Sequence, residues 1–97
     1  MLSQTYYLLR SKADGQYLVA HLEPKAGKAK PSYLLMFNEH YEALSYVNQH
    51  AADLSDRFSV ESIASPQVRS ILDRWGFQGV GIVKDPLVPR IEFLSYN

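Results

Sequence analysis

The 97-residue chain contains no cysteine. That absence closes off a disulfide scaffold, an iron–sulfur cluster, a thiolate zinc site and a cysteine nucleophile. No apolar run approaches the roughly 20 residues that a membrane span needs, and Met1-Leu-Ser-Gln-Thr5 lacks the basic and apolar regions of a secretion signal. A cytoplasmic domain without a membrane partner is therefore expected. An excess charge of either sign is also missing. Ten Lys+Arg balance ten Asp+Glu, so no net field draws the protein to a phosphate backbone, and nucleic acid is not an expected partner. Linkers, internal repeats and low-complexity tracts are absent as well, which leaves one domain over residues 1–97.

The balanced charge is a sum of unlike parts. Residues 1–30 carry Arg10, Lys12, Lys25, Lys28 and Lys30 against Asp14 and Glu23, whereas residues 31–62 carry Arg57 against Glu39, Glu42, Asp53, Asp56 and Glu61. A basic first third thus meets an acidic middle third. Two copies of such a chain could complement one another, and a domain this small gains from burying surface against a second copy.

Apolar residues make up 46% of the chain, ample for a packed core. Thr5–Lys12 and Tyr17–Leu22 read as strands, and Asp14-Gly15 between them predicts an antiparallel hairpin. Glu23–Ser32, with two prolines, one glycine and three lysines, reads as an exposed loop. Tyr33-Leu-Leu-Met-Phe37 is an unbroken apolar run of the kind found in a central strand covered on both faces. A first helix is expected from Glu39 to Ala51, capped by Asn38, with Tyr41, Leu44, Val47 and Ala51 inward and Tyr46 more exposed.

Phe58–Ile63 alternates as a half-buried strand. Ser65-Pro66 predicts a helix start, Val68, Ile71, Leu72 and Trp75 its buried stripe, and Gly76 its end. Gly79–Val83 and Arg90–Tyr96 read as two last strands joined by a proline-bounded turn. The expected fold is α+β: a mixed β-sheet with two helices on one face, in the order β-β-β-α-β-α-β-β. Strand order does not follow from these patterns.

Candidate sites are few. His40 and His50 lie ten residues apart on one helix and cannot share a metal within one chain. Neither a metal site nor any other cofactor is expected. Gly76, Gly79 and Gly81 close a helix and open a strand, the reverse of a dinucleotide-binding turn, so close backbone approach explains them better. Lys25, Lys28 and Lys30 could meet a phosphate-bearing ligand or an acidic surface. Asp85, before Pro86 at the end of a strand, is the carboxylate best placed for a site, although an Asx-type turn accounts for it equally. No nucleophile and base are paired by sequence, so an enzyme is not expected.

Seven tyrosines are a surplus. Their apolar bodies and polar tips suit half-buried surfaces, and Tyr6, Tyr7, Tyr17, Tyr46 and Tyr96 are candidate interface residues for a homodimer or another protein partner.

Tyr33-Leu-Leu-Met-Phe37 with Ala43, Tyr46 and Val60-Glu-Ser-Ile63 is similar to a family of small uncharacterised proteins of photosynthetic organisms. Trp75-Gly-Phe-Gln-Gly-Val-Gly-Ile-Val-Lys-Asp-Pro86 resembles the end of the N-terminal domain of the enhanced-serine-sensitivity family. Together these matches span about residues 33–86. The resemblance implies a small α+β domain with an interaction or regulatory role and brings no catalytic residue. The leading expectation is a self-associating, non-enzymatic interaction module. The alternative is a small-ligand or anion sensor using the 23–32 loop and the turn around Asp85.

Overall fold

The computed structural model describes residues 4–21, 31–88 and 90–95. Strands β1 (Thr5–Ser11), β2 (Val19–His21) and β3 (Ser32–Phe37) precede helix α1 (His40–His50), and a 3-10 segment (Ala52–Arg57) leads into β4 (Phe58–Ala64). Helix α2 (Ser65–Trp75), β5 (Gly79–Asp85) and β6 (Arg90–Ser95) complete the chain. The α+β class and the order of strands and helices are those expected. The strands form one mixed sheet in the order β4-β1-β3-β5-β6, with β2 also paired to β3. Among the described strands, only β3 and β5 pair in parallel.

The helices lie on opposite faces, which corrects the expectation of one face. Leu8, Leu34, Met36, Val80 and Ile82 form one core with Ile63 of β4 and Leu72 of α2. Their strand neighbours Leu9, Leu35, Phe37 and Val83 point the other way and pack with Ala43 and Val47 of α1. The strand order supplies the reason. The β3-α1-β4 connection crosses β1 in one direction, and the β4-α2-β5 connection returns across β1 and β3 in the other. Two right-handed crossovers that travel in opposite directions must cover opposite faces. Phe37, Leu8, Leu9, Leu34, Leu35 and Val83 are almost fully buried, and each such side chain contributes about 1.5–3 kcal/mol.

The predicted hairpin is only partly formed. Ser11 N–H donates to Gln16 O and Gly15 adopts φ 72° in the turn. The chain then leaves β1 after a single bridge, Arg10 to Tyr17, and β2 pairs with β3 instead. The registered β1–β3 contact is Tyr7 opposite Phe37, and residues 17–21 fill the wedge beyond it. Leu18 N–H donates to Leu9 O at 2.9 Å, while its own carbonyl accepts from Leu35 N–H at 3.3 Å.

Helix ends differ from expectation by one residue. Glu39, not Asn38, is the N-cap of α1, and its N–H donates to the Glu42 carboxylate at 3.2 Å. Ala64 caps α2, so Ser65 and Pro66 occupy its first turn, where the missing proline N–H costs nothing. Gly76 closes α2 at φ 73°, the left-handed cap that its sequence position predicts. On α1 the buried residues are Ala43 and Val47, with Tyr46 half-buried, whereas Tyr41 is 65% exposed. The expected Tyr41/Tyr46 assignment is therefore reversed, because Ala43 lets the helix approach the sheet along a different stripe.

Candidate functional site

The expected site residues disperse. Lys25, Lys28, Lys30 and Tyr96 lie outside the described residues. Asp85 is held by its own turn: its Oδ1 accepts from the N–H groups of Leu87 at 3.0 Å and Val88 at 3.3 Å. His50 Nε2 sits 2.9 Å from the Pro86 carbonyl, tying the end of α1 to that turn, a contact with no local sequence signal. His21 Nδ1 lies 3.0 Å from its cross-strand neighbour Ser32 Oγ, and His40 meets the edge of the Tyr7 ring. Among the described residues, no three His, Asp or Glu side chains gather in a metal-binding group, and no helix is long and apolar enough to cross a membrane.

The four described candidate interface tyrosines, Tyr6, Tyr7, Tyr17 and Tyr46, are half-buried and engaged within the chain. Tyr6 packs against the α2-side core and Tyr7 against the α1-side core. Tyr46 lies edge-on to Phe37, with ring centres 5.4 Å apart, and next to the His50 ring. Burial raises its phenol pKa.

Tyr17 is the centre of a cluster on the α2 side. The Arg10 guanidinium lies 4.9 Å from its ring centre, bonds Glu61 at 3.2 Å and donates from Nε to Gly15 O at 2.7 Å. Tyr17 Oη donates to Glu61 at 3.4 Å, and its ring meets Trp75 edge-on at 5.3 Å. Burial and then the Glu61 charge raise the Tyr17 pKa, against a smaller opposing effect of Arg10. Beside this cluster a shallow groove of about 320 Å³ runs between β4 and α2, floored by Leu8, Ile63 and Ile71 and rimmed by Tyr17, Glu61, Gln67, Ser70 and Arg74.

A second feature is the β5–β6 edge. The described residues expose seven large apolar side chains, and Leu87, Val88, Phe93 and Leu94 are four of them; Tyr41, Leu44 and Trp75 are the others. β6 ends the strand order and, among the described strands, pairs with β5 alone. Its two exposed apolar side chains, Phe93 and Leu94, point to opposite faces. Phe93 stands over Gly81, where an added Cβ would come within 3.1 Å of the ring, and packs edge-on against Tyr33. Leu94, opposite Val80, borders a groove of about 330 Å³ with Val68, Arg69 and Leu72 of α2. The other edge strand is unlike it: β4 places Ser59, Glu61 and Ser62 between apolar side chains that are half-buried or buried. Polar guarding of this kind protects an edge from pairing. β6 also carries Arg90, Glu92 and Ser95, but it exposes Phe93 and Leu94, whereas the described residues of β4 expose no large apolar side chain.

No family model matches the chain. Comparisons with curated proteins and with solved structures likewise give no match. Function must be argued from the groove and the edge alone.

Proposed function

We propose that the protein is a non-enzymatic interaction or regulatory module of the cytoplasm that self-associates into a homodimer and engages a protein partner. The observation that carries this reading is the β5–β6 edge, where the outer side of β6, which has no neighbour among the described strands, coincides with four exposed apolar side chains. An uncovered edge offers backbone donors and acceptors to another strand, and apolar residues beside it supply the burial that makes such pairing stable. Phe93, backed by the buried Tyr33 ring, brings to that edge the aromatic surface characteristic of interfaces. The proposal extends to kinship with the small proteins of photosynthetic organisms that the strand and helix motifs resemble.

Light scattering on the intact chain tests this reading. A dimer mass at tens of micromolar, reduced to the monomer by Leu94→Lys, is the expected result; a monomer for the unaltered chain would refute it.

A second reading, a small-ligand or anion sensor, is favoured by the β4–α2 groove, where Arg74 and the Tyr17 hydroxyl face an apolar floor. Thermal-shift measurements with nucleotides and phosphorylated metabolites decide it. Stabilisation that Arg74→Gln abolishes would support the sensor, and no shift with any of these compounds would remove it.

A further inference from the structure

We infer that the β4–α2 groove binds a small amphiphile, with one carboxylate or phosphate head held by Arg74 and an apolar body of about 10 Å lying along α2. The inference rests on the ligand-sensor reading above and names the chemistry of its ligand.

The helix sets both the length and the polarity of the groove. Gln67, Ser70, Ile71 and Arg74 line it from α2, at the spacings that place side chains on one helical face. At a rise of about 1.5 Å per residue, Gln67 and Arg74 stand about 10 Å apart along the axis. The two ends differ. Gln67 Oε1 accepts from the Ala64 N–H at 3.1 Å, which ties that side chain into the start of α2. At the other end, among the described residues, no hydrogen bond or ion pair engages the Arg74 guanidinium. Its charge reaches the Tyr17 hydroxyl, where it opposes burial and Glu61.

The carboxylate on the opposite rim does not cancel this cation. Glu61 accepts from Arg10 at 3.2 Å and from the Tyr17 hydroxyl at 3.4 Å, so its charge is balanced inside that cluster. A ligand therefore meets one planar guanidinium, whose parallel N–H groups suit a carboxylate or a phosphate. Ser70, one turn back on the same rim, adds a hydroxyl. Between the two ends the floor is apolar: Leu8 and Ile63 are buried beneath it, and Ile71 is only partly covered. An inorganic anion leaves this floor wet, and an uncharged chain leaves the guanidinium without a partner. A ligand with both parts uses both, and about 320 Å³ is room for a small one.

Octanoate and octyl phosphate are such molecules, and amide chemical-shift titration of the intact chain with each is the test. Residues 61–63 of β4 and 67–74 of α2 should shift and saturate with at least one of them, and the tighter of the two identifies the head. Inorganic phosphate and octanol, each carrying one part alone, should bind at least about tenfold more weakly. Arg74→Gln should weaken the better ligand by about tenfold or more. Arg69→Gln, on the flank of α2 that borders the other groove, should leave binding unchanged. Ser70→Phe, at an exposed position, should block the groove. Octanol binding as tightly as the octyl anions, or unaltered binding by Arg74→Gln, would overturn the anionic head. If nucleotides or phosphorylated metabolites stabilise the protein while neither octyl anion shifts these amides, the apolar body is wrong and the sensor reading stands. No response to any of these compounds would remove both.

Discussion

Leu8 and Leu9 are consecutive in β1 and lie in different cores, Leu8 beneath α2 and Leu9 beneath α1. Each is about 1% exposed. With a helix on each face, Leu8→Ala and Leu9→Ala should each cost about 2–5 kcal/mol, read from urea unfolding midpoints. A one-faced sheet would spare one of the two, which would then shift by less than about 0.5 kcal/mol.

Arg10 and Glu61 should not be equal in effect. Their ion pair is more than a third exposed on both sides, so Glu61→Gln is expected to cost less than about 1 kcal/mol. Arg10 also bonds Gly15 O and covers the Tyr17 ring. Losing those contacts with the charge should bring Arg10→Ala to about 1–2 kcal/mol. Chemical denaturation of the two variants in parallel checks the order.

Tyr17 predicts an alkaline limit. Its folded pKa is raised above 10.0 by burial and by Glu61. A raised folded value means that the contribution to stability is fully present below the unfolded value and is lost as pH rises through the folded one. Stability should fall above about pH 10, and Tyr17→Phe should flatten part of that fall. Tyr46, whose pKa burial also raises, accounts for a further part. Unfolding midpoints of both proteins near neutrality and above about pH 10 make the comparison.

Gly76 and Gly79 should respond to alanine for different reasons. At Gly76 nothing lies within 4 Å of an added Cβ, so the cost is that of a left-handed conformation, about 1 kcal/mol, and Gly76→Asn should recover part of it. At Gly79 an added Cβ runs into the Leu94 carbonyl oxygen. Gly79→Ala should be the more destabilising, by thermal melting, and should displace β6 from β5.

Much of this architecture is legible in the chain. Ser65-Pro66, the Val68/Ile71/Leu72/Trp75 stripe and Gly76 determine α2 almost to the residue, since cap chemistry and helical period are local properties, although Trp75, expected to be buried, is 37% exposed at the end of the helix. The unbroken Tyr33–Phe37 run correctly marks a strand covered on both faces. Placing both helices on one face conflicts with that run, and the error has a clear source: the side a crossover covers depends on the direction it travels, which only the strand order supplies. The departure of β2 from β1 depends likewise on which neighbour competes for Leu18. Glu61 and Trp75 join Tyr17 from β4 and α2, 44 residues or more away, and no spacing rule could have gathered them. Leu94 and Phe93 read as an ordinary alternating strand until the sheet order shows that the strand is an edge.

Hydrogen exchange of the β6 backbone amides as a function of protein concentration tests the self-association surface most directly. Exchange in residues 90–95 should slow as concentration rises through the micromolar range while residues 58–64 of β4 stay unchanged. Concentration-independent exchange in β6, or added protection at β4 instead, would contradict the account.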